Sequence, residues 1–261
     1  MIRFILVILA LAILTLVLLP FQLIAIAFDL DWQRRIPRLY HRILCALAGV
    51  RIRQLGQRTS ARPVLILANH ASWLDICIIT ATTPVVFVAK SEVAGWPVIG
   101  LFARLQHTVF IDRQRRSATA GVAAAMGARI AAGEDIVLFA EGTTGDGTRV
   151  LPFRSSLLGA AHQAMGEGDG DVTVYPLAIT YTGWQGLPGG RIGRSALAWY
   201  GDTELVPHLK HVLACGTVDV ELVWGAPIAM GRATSRKEAT RLVEASVRAA
   251  RRQAVTGRPA V

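Results

Sequence analysis

Hydrophobic and polar positions divide this chain into two regimes. Residues 4–28 carry no charge and only Thr15 and Gln22 as polar interruptions, whereas beyond residue 60 short apolar runs alternate with longer segments of helical periodicity. As a helix the first segment is about 37 Å long, enough to cross a hydrocarbon core of about 30 Å. Pro20 can bend or break it, so the pattern predicts either one tilted span or a bent helix pair inserted from one face. Arg34, Arg35, Arg38 and Arg42 follow, interleaved with Ile36, Leu39, Tyr40, Ile43, Leu44 and Leu47 at helical spacing. This reads as an amphipathic segment on an anionic leaflet, and the arginines favour a cytoplasmic C-terminal side. The alternative is a secretory signal with Ala25-Ile26-Ala27 as its cleavage site. The apolar stretch is, however, longer than the usual h-region of about 7 to 15 residues.

The later pattern predicts strands over 64–68, 85–89, 108–111 and 136–139, each a short β-branched or aromatic run, and further strands over 172–182, 196–200 and 218–223. Helices are predicted over 117–132, ended by Gly133, over 155–165, closed by a glycine-rich stretch, and over 235–254. Strands alternating with helices argue an α/β class: a mixed sheet with crossover helices, preceded by an N-terminal membrane-inserted helix or bent helix pair. Residues 1–58 are assigned to the anchor and basic amphipathic segment, and 59–261 to one catalytic domain.

Composition sharpens this picture in two respects. Apolar residues make up 52% of the 261 residues, with the excess at the start, and the formal charge is +10. An anionic partner is implied, and without a zinc-ligand array, an RNA-binding aromatic signature or a basic tail it is read as a membrane surface rather than nucleic acid. Cys45, Cys77 and Cys215 are few and lie in apolar surroundings, which suits buried thiols better than a disulfide framework. His208 and His211 could share a helix face, but with no third ligand in view no metal site is assigned.

The candidate chemistry lies in Asn69-His70-Ala71-Ser72-Trp73-Leu74-Asp75, at the end of the first predicted core strand. Histidine is the side chain best matched to taking a proton from a hydroxyl near neutral pH, and a nearby carboxylate can fix its tautomer and stabilise the imidazolium. In one regular helix the two would stand roughly 140° apart, so contact requires a turn, for which Ser72 is the expected N-cap. The loop Glu141-Gly142-Thr143-Thr144 follows the 136–139 strand and should lie at a carboxyl end of the sheet, where ligands bind. Arg113, beyond another strand end, could meet a phosphate or carboxylate.

His70 to Asp75, Val109-Phe110-Ile111-Asp112-Arg113, Phe139-Ala140-Glu141-Gly142-Thr143-Thr144 and Val174-Tyr175-Pro176-Leu177-Ala178-Ile179 resemble, in order and spacing, the four sequence blocks of the glycerolipid acyltransferase family, over roughly residues 60 to 225. The resemblance implies that His70 is the base and Asp75 orients it, while Arg113, Glu141, Gly142 and Thr143 line the acyl-acceptor site. It implies attack of a lipid hydroxyl on a thioester of acyl carrier protein or coenzyme A. That donor is a co-substrate, and no further cofactor is implied. It also implies an inner-membrane protein with its catalytic domain facing the cytoplasm.

The chain departs from the phosphatidate-forming members of that family. These usually have proline before the glutamate and arginine and serine after the threonine, where this chain has Ala140, Thr144 and Gly145. The run from Gly145 to Ser156 and the segments Trp199-Tyr200-Gly201-Asp202 and Pro207-His208-Leu209 look more like the bacterial subgroup that acylates lyso-ornithine lipid, a phosphate-free acceptor. Arg149 or Arg154 could replace the lost guanidinium, which keeps lysophosphatidate as the alternative. A lipid hydrolase would use the same His70 and Asp75 with water or a serine, but no G-x-S-x-G elbow occurs. A non-enzymatic lipid-binding protein would have no use for a general base.

Overall fold

The computed structural model describes residues 1–58, 63–111, 119–158, 172–230 and 235–257. The N-terminal apolar segment forms one helix, α1 (Ile2–Ala27), which runs through Pro20 without a break. A short turn leads to α2 (Trp32–Ala48), closed by Gly49 in the left-handed region at φ 77°. Thr15 and Gln22 are seven residues apart, about two turns, so they share one face of α1. That face meets the rest of the protein: Thr15 bonds the Tyr40 hydroxyl, and Gln22 Nε2 donates to the carbonyls of Gln33 and Leu105. At the other end Arg3 donates to the carbonyls of Leu213, Leu47 and Gly216. Ile5, Leu9, Ile13, Leu16, Val17 and Ile24 remain exposed on α1.

The sheet is mixed. Its strands are β1 (Val50–Leu55), β2 (Leu65–Ala68), β3 (Val86–Lys90), β4 (Val109–Ile111), β5 (Ile136–Phe139), β6 (Val172–Trp184), β7 (Leu187–Pro188), β8 (Val218–Trp224) and β9 (Ile228–Met230). Among the described residues the order is β1-β8-β6-β2-β5-β3-β4, with β7 and β9 also paired to β6. The central β6-β2-β5-β3-β4 region is parallel, whereas β8 runs antiparallel to β6 and parallel to β1. Because the sheet takes in β1, residues 50–55 belong structurally with the catalytic unit, although the sequence division at 58 leaves them beside the anchor.

The helices are α3 (Leu74–Thr82), α4 (Ile99–Leu105), α5 (Thr119–Ala131), α6 (Gly190–Leu197), α7 (Leu205–Ala214) and α8 (Arg236–Thr256). The central strands β2 and β5 are buried on both faces, which is why they read as continuous apolar runs rather than alternating ones. One core layer joins α2, α3 and α7 to the sheet through Cys45, Ile78, Ile79 and Val212. The opposite layer joins α5 and α8 through Met126, Ala239, Val243 and Val247. Cys45 and Cys77 are buried free thiols and Cys215 is half-buried. The 196–200 strand is a correction: Leu197 ends α6, and the extended segment after it pairs with no strand among the described residues, its Trp199 N–H going instead to the Ala71 carbonyl at 2.7 Å. The predicted 155–165 helix lies outside the described residues beyond Leu158.

Candidate active site

Strand β2 ends at Ala68 and delivers Asn69 and His70 to the carboxyl edge of the sheet. The Asn69 amide clamps this end to β6, donating to the Ile179 carbonyl at 3.0 Å and accepting the Ile179 N–H at 2.8 Å. The chain then turns into α3, whose first turn carries Asp75. His70 Nδ1 meets Asp75 Oδ2 at 2.9 Å, the contact the sequence required a turn to make. Ser72 does not cap that turn with its hydroxyl. Asp75 does the work, its Oδ2 accepting the N–H groups of Ala71 at 2.7 Å and Ser72 at 2.9 Å. A residue in the first turn of α3 also places its carboxylate near the helix's positive end.

Asp75 is fully buried, so its charge depends on these donors. Its second oxygen, Oδ1, takes the Tyr181 hydroxyl at 2.6 Å. Burial, with the Asp75 carboxylate beside it, holds the Tyr181 phenol well above its ordinary value, so it stays a donor. A carboxylate bonded to Nδ1 fixes the tautomer with its proton on Nδ1, leaving Nε2 free to take a proton. The His70 ring stacks on Phe139 with centroids 3.7 Å apart and planes 9° apart, which sets its orientation from the other side.

Glu141 follows β5 and is buried beneath the loop it begins. Its Oε2 accepts the His70 N–H at 3.2 Å and its Oε1 the Leu151 N–H at 2.9 Å. Both bonds favour the anion, but burial outweighs them and pushes the carboxyl up to about 8. The geometry thus puts Glu141 behind His70 rather than on the open surface of the cleft. Gly142 adopts φ 73°, a left-handed turn that favours glycine, and Thr143 is exposed at the loop tip. The loop is tied to the catalytic turn by the Gly145 N–H, which donates to the His70 carbonyl at 2.8 Å. Arg113 lies outside the described residues.

The backbone donors of the catalytic turn are already committed: His70 to Glu141, and Ala71 and Ser72 to Asp75. These three N–H groups are therefore not free to stabilise an oxyanion. His208, half of the histidine pair weighed for a metal, accepts the Trp73 indole N–H at 3.0 Å, while His211 packs beside Trp184. Neither the Tyr181 contact nor the Asn69 clamp was found from sequence, since both join β2 or α3 to a strand more than a hundred residues away.

A His–Asp pair at the carboxyl edge of a mixed α/β sheet, with no G-x-S-x-G elbow in the chain, is an arrangement able to take a proton from a hydroxyl or from water, the chemistry of a transferase or a hydrolase. The comparisons with known proteins select between these. Residues 49–180 match the acyltransferase family model. The chain is 46% identical over 258 residues to the lyso-ornithine lipid O-acyltransferase of Brucella abortus (strain 2308), covering 98% of this chain and 97% of that protein. It is 45% identical to the lyso-ornithine lipid O-acyltransferase of Rhizobium meliloti (strain 1021), over 90% of this chain and 80% of the other. The crystal structure of the 1-acyl-sn-glycerophosphate acyltransferase PlsC from Thermotoga maritima shares the fold, with a TM-score of 0.64 at 21% identity over 97% of this chain and 96% of that one. The chain belongs to the acyltransferase family. It is a lyso-lipid acyltransferase.

Proposed function

We propose that the acceptor is lyso-ornithine lipid and the donor a thioester of acyl carrier protein or coenzyme A. The observation that carries the acceptor is the 46% identity with the Brucella abortus enzyme of that name over 98% of this chain. His70 Nε2 takes the proton of the lipid hydroxyl as its oxygen attacks the thioester carbonyl. The tetrahedral intermediate then expels the thiolate with cleavage of the C–S bond, and the imidazolium returns the proton to sulfur. Asp75 stabilises the imidazolium in between. Arg113, Gly142 and Thr143 are assigned to the acceptor side of the cleft, and Glu141 to holding the backbone of His70 and of Leu151. A net charge of +10 favours an anionic carrier and an anionic membrane surface.

The lipid acceptor calls for a membrane, and α1 is long and apolar enough to enter one. α1 is one unbroken helix and not the bent pair expected for one-sided insertion, yet the bonds of Arg3 and Gln22 favour its lying on one face of the membrane over a span. Both ends of α1 are fastened to the catalytic unit, so a spanning α1 would draw that unit into the bilayer. A helix lying along one leaflet exposes its apolar face and leaves the unit on the cytoplasmic side of the inner membrane. The testing experiment supplies the purified full-length protein with labelled acyl carrier protein and equimolar lyso-ornithine lipid and lysophosphatidate. Labelled ornithine lipid is the expected product, and labelled phosphatidate alone would refute the acceptor.

A further inference from the structure

The turn that leads into α4 carries an apolar tip. After the single 3-10 turn Ser91–Gly95 the chain presents Trp96, Pro97, Val98 and Ile99 in succession, all exposed, and Leu101 follows in the first turn of α4. Val98 is 61% exposed. It also adopts φ 63°, a left-handed conformation that a β-branched residue rarely takes. The surrounding backbone imposes it. The Gly100 N–H donates to the Trp96 carbonyl at 2.9 Å, and a Cβ on Gly100 would stand 2.4 Å from the Ala94 carbonyl oxygen, so the start of α4 closes tightly on the turn. Arg104 Nη1 donates to that same oxygen at 2.8 Å. A strained turn thus holds a row of large apolar side chains out in solvent, and contiguous apolar groups at a surface mark an interaction site.

Its two neighbours indicate what this tip meets. On one side α4 adjoins α1: Gln22 Nε2 donates to the Leu105 carbonyl, and Leu18 and Leu19 line one apolar crevice with Phe102 and Leu105. Two helices that both expose apolar side chains therefore lie side by side. On the other side the Trp96 ring meets the Trp199 ring edge to face, with centroids 5.9 Å apart and planes 84° apart. Trp199 gives its N–H to the Ala71 carbonyl in the catalytic turn, and the exposed Tyr200 follows it. Tryptophan and tyrosine beside aliphatic residues are the composition of a membrane–water interface. Lys90 and Arg104, both exposed, flank the tip with Glu92 as the one acid between them, which suits an anionic headgroup layer.

We propose that residues 96–101 form a second membrane contact, separate from α1, which enters the same leaflet and brings the mouth of the His70 site to the lipid surface. This rests on α1 entering a leaflet, and the acceptor's headgroup does not bear on it. A single helix lying in the membrane plane leaves the catalytic unit free to roll about the helix axis. A second contact fixes that roll, and this one is a single side-chain contact away from the strand of backbone that bonds Ala71.

The test places an environment-sensitive fluorophore at Val98→Cys in the full-length Cys215→Ser protein, whose remaining thiols, Cys45 and Cys77, are buried. Vesicles of phosphatidylcholine and phosphatidylglycerol should shift its emission to the blue, and lipids spin-labelled on the acyl chain should quench it. The same label at Lys237→Cys, exposed on α8, should show neither effect. Ile99→Asp should raise KM about tenfold for lyso-ornithine lipid or lysophosphatidate in those vesicles, whichever is turned over, the scale of one buried aliphatic side chain. Its turnover of a short-chain form of the same lyso-lipid, dissolved as monomers, should stay unchanged. A Val98 label that remains in water on vesicle-bound protein would overturn the second contact and leave insertion of α1 standing. An unchanged vesicle KM in Ile99→Asp would overturn it as well. A blue shift that grows with protein concentration without vesicles would overturn it in favour of an interface between copies of this chain. Failure of the labelled protein to bind vesicles at all would defeat α1 insertion and the second contact together.

Discussion

Tyr181 donates its hydroxyl to Asp75 Oδ1 at 2.6 Å, on the carboxylate oxygen that His70 leaves free. The fully buried Asp75 is thereby held on both oxygens, and the position of the His70 imidazole depends on Tyr181, a buried residue of β6. Tyr181→Phe should cost about 1–3 kcal/mol of stability by leaving a buried acceptor short of a donor. It should also lower the rate of transfer, because Asp75 loses the bond that fixes its second oxygen and holds His70 less firmly. An unchanged rate in a well-folded Tyr181→Phe protein would show that the phenol only fills space.

Glu141 gives a stability prediction with a definite sign. Its carboxyl is raised from 4.5 to about 8 by burial, so between those values the folded state holds a proton that the unfolded state releases. Stability must then fall as pH rises from about 4.5 to about 8 and level off above. In Glu141→Gln that fall should be reduced, and at the acid end the variant should be the less stable, because its amide N–H₂ cannot accept both the His70 and Leu151 N–H groups. Melting temperatures from about pH 5 to 9 compare the slopes, and parallel curves would contradict the assignment.

Thr144 is half-exposed on the loop tied to His70. Thr144→Arg adds a guanidinium where the phosphatidate-forming enzymes usually carry one. It should raise activity on lysophosphatidate relative to lyso-ornithine lipid by about one to two decades, the worth of a charge-assisted contact to phosphate. An unchanged ratio in acceptor competition would remove this loop from the headgroup site.

Gln22→Leu deletes the amide that bonds the carbonyls of Gln33 and Leu105. The variant should stay with membranes through high salt and alkaline wash, since apolar insertion is not screened as surface charge is. Its catalytic unit should nonetheless melt earlier in detergent, because α1 and the unit are fastened there. Unchanged melting would show that α1 is held to the membrane alone.

The elements legible in the sequence were those whose cause is local. β2 and β5 read as strands because burial on both faces makes them uninterrupted apolar runs. The face of α1 that binds the protein was marked by Thr15 and Gln22, though not what they bind. β1 was missed because its alternating Val50, Arg51, Ile52, Arg53 follows directly on a basic helix and its partner β8 is far along the chain. The 196–200 run has a strand's composition but spends its Trp199 N–H on the catalytic turn. At the site, the His70–Asp75 pair could be read from spacing and chemistry. That Asp75 rather than Ser72 organises the turn could not, because it depends on where a buried carboxylate finds its donors.

Single-turnover rates of wild type, His70→Ala and Asp75→Asn, with labelled acyl thioester and lyso-lipid in membranes, bear most directly on the central claim that this pair supplies the base. His70→Ala should lose about 10²- to 10⁴-fold in rate while folding and membrane recovery stay normal, with Asp75→Asn also severe. Near-normal transfer by a well-folded His70→Ala protein would contradict the account.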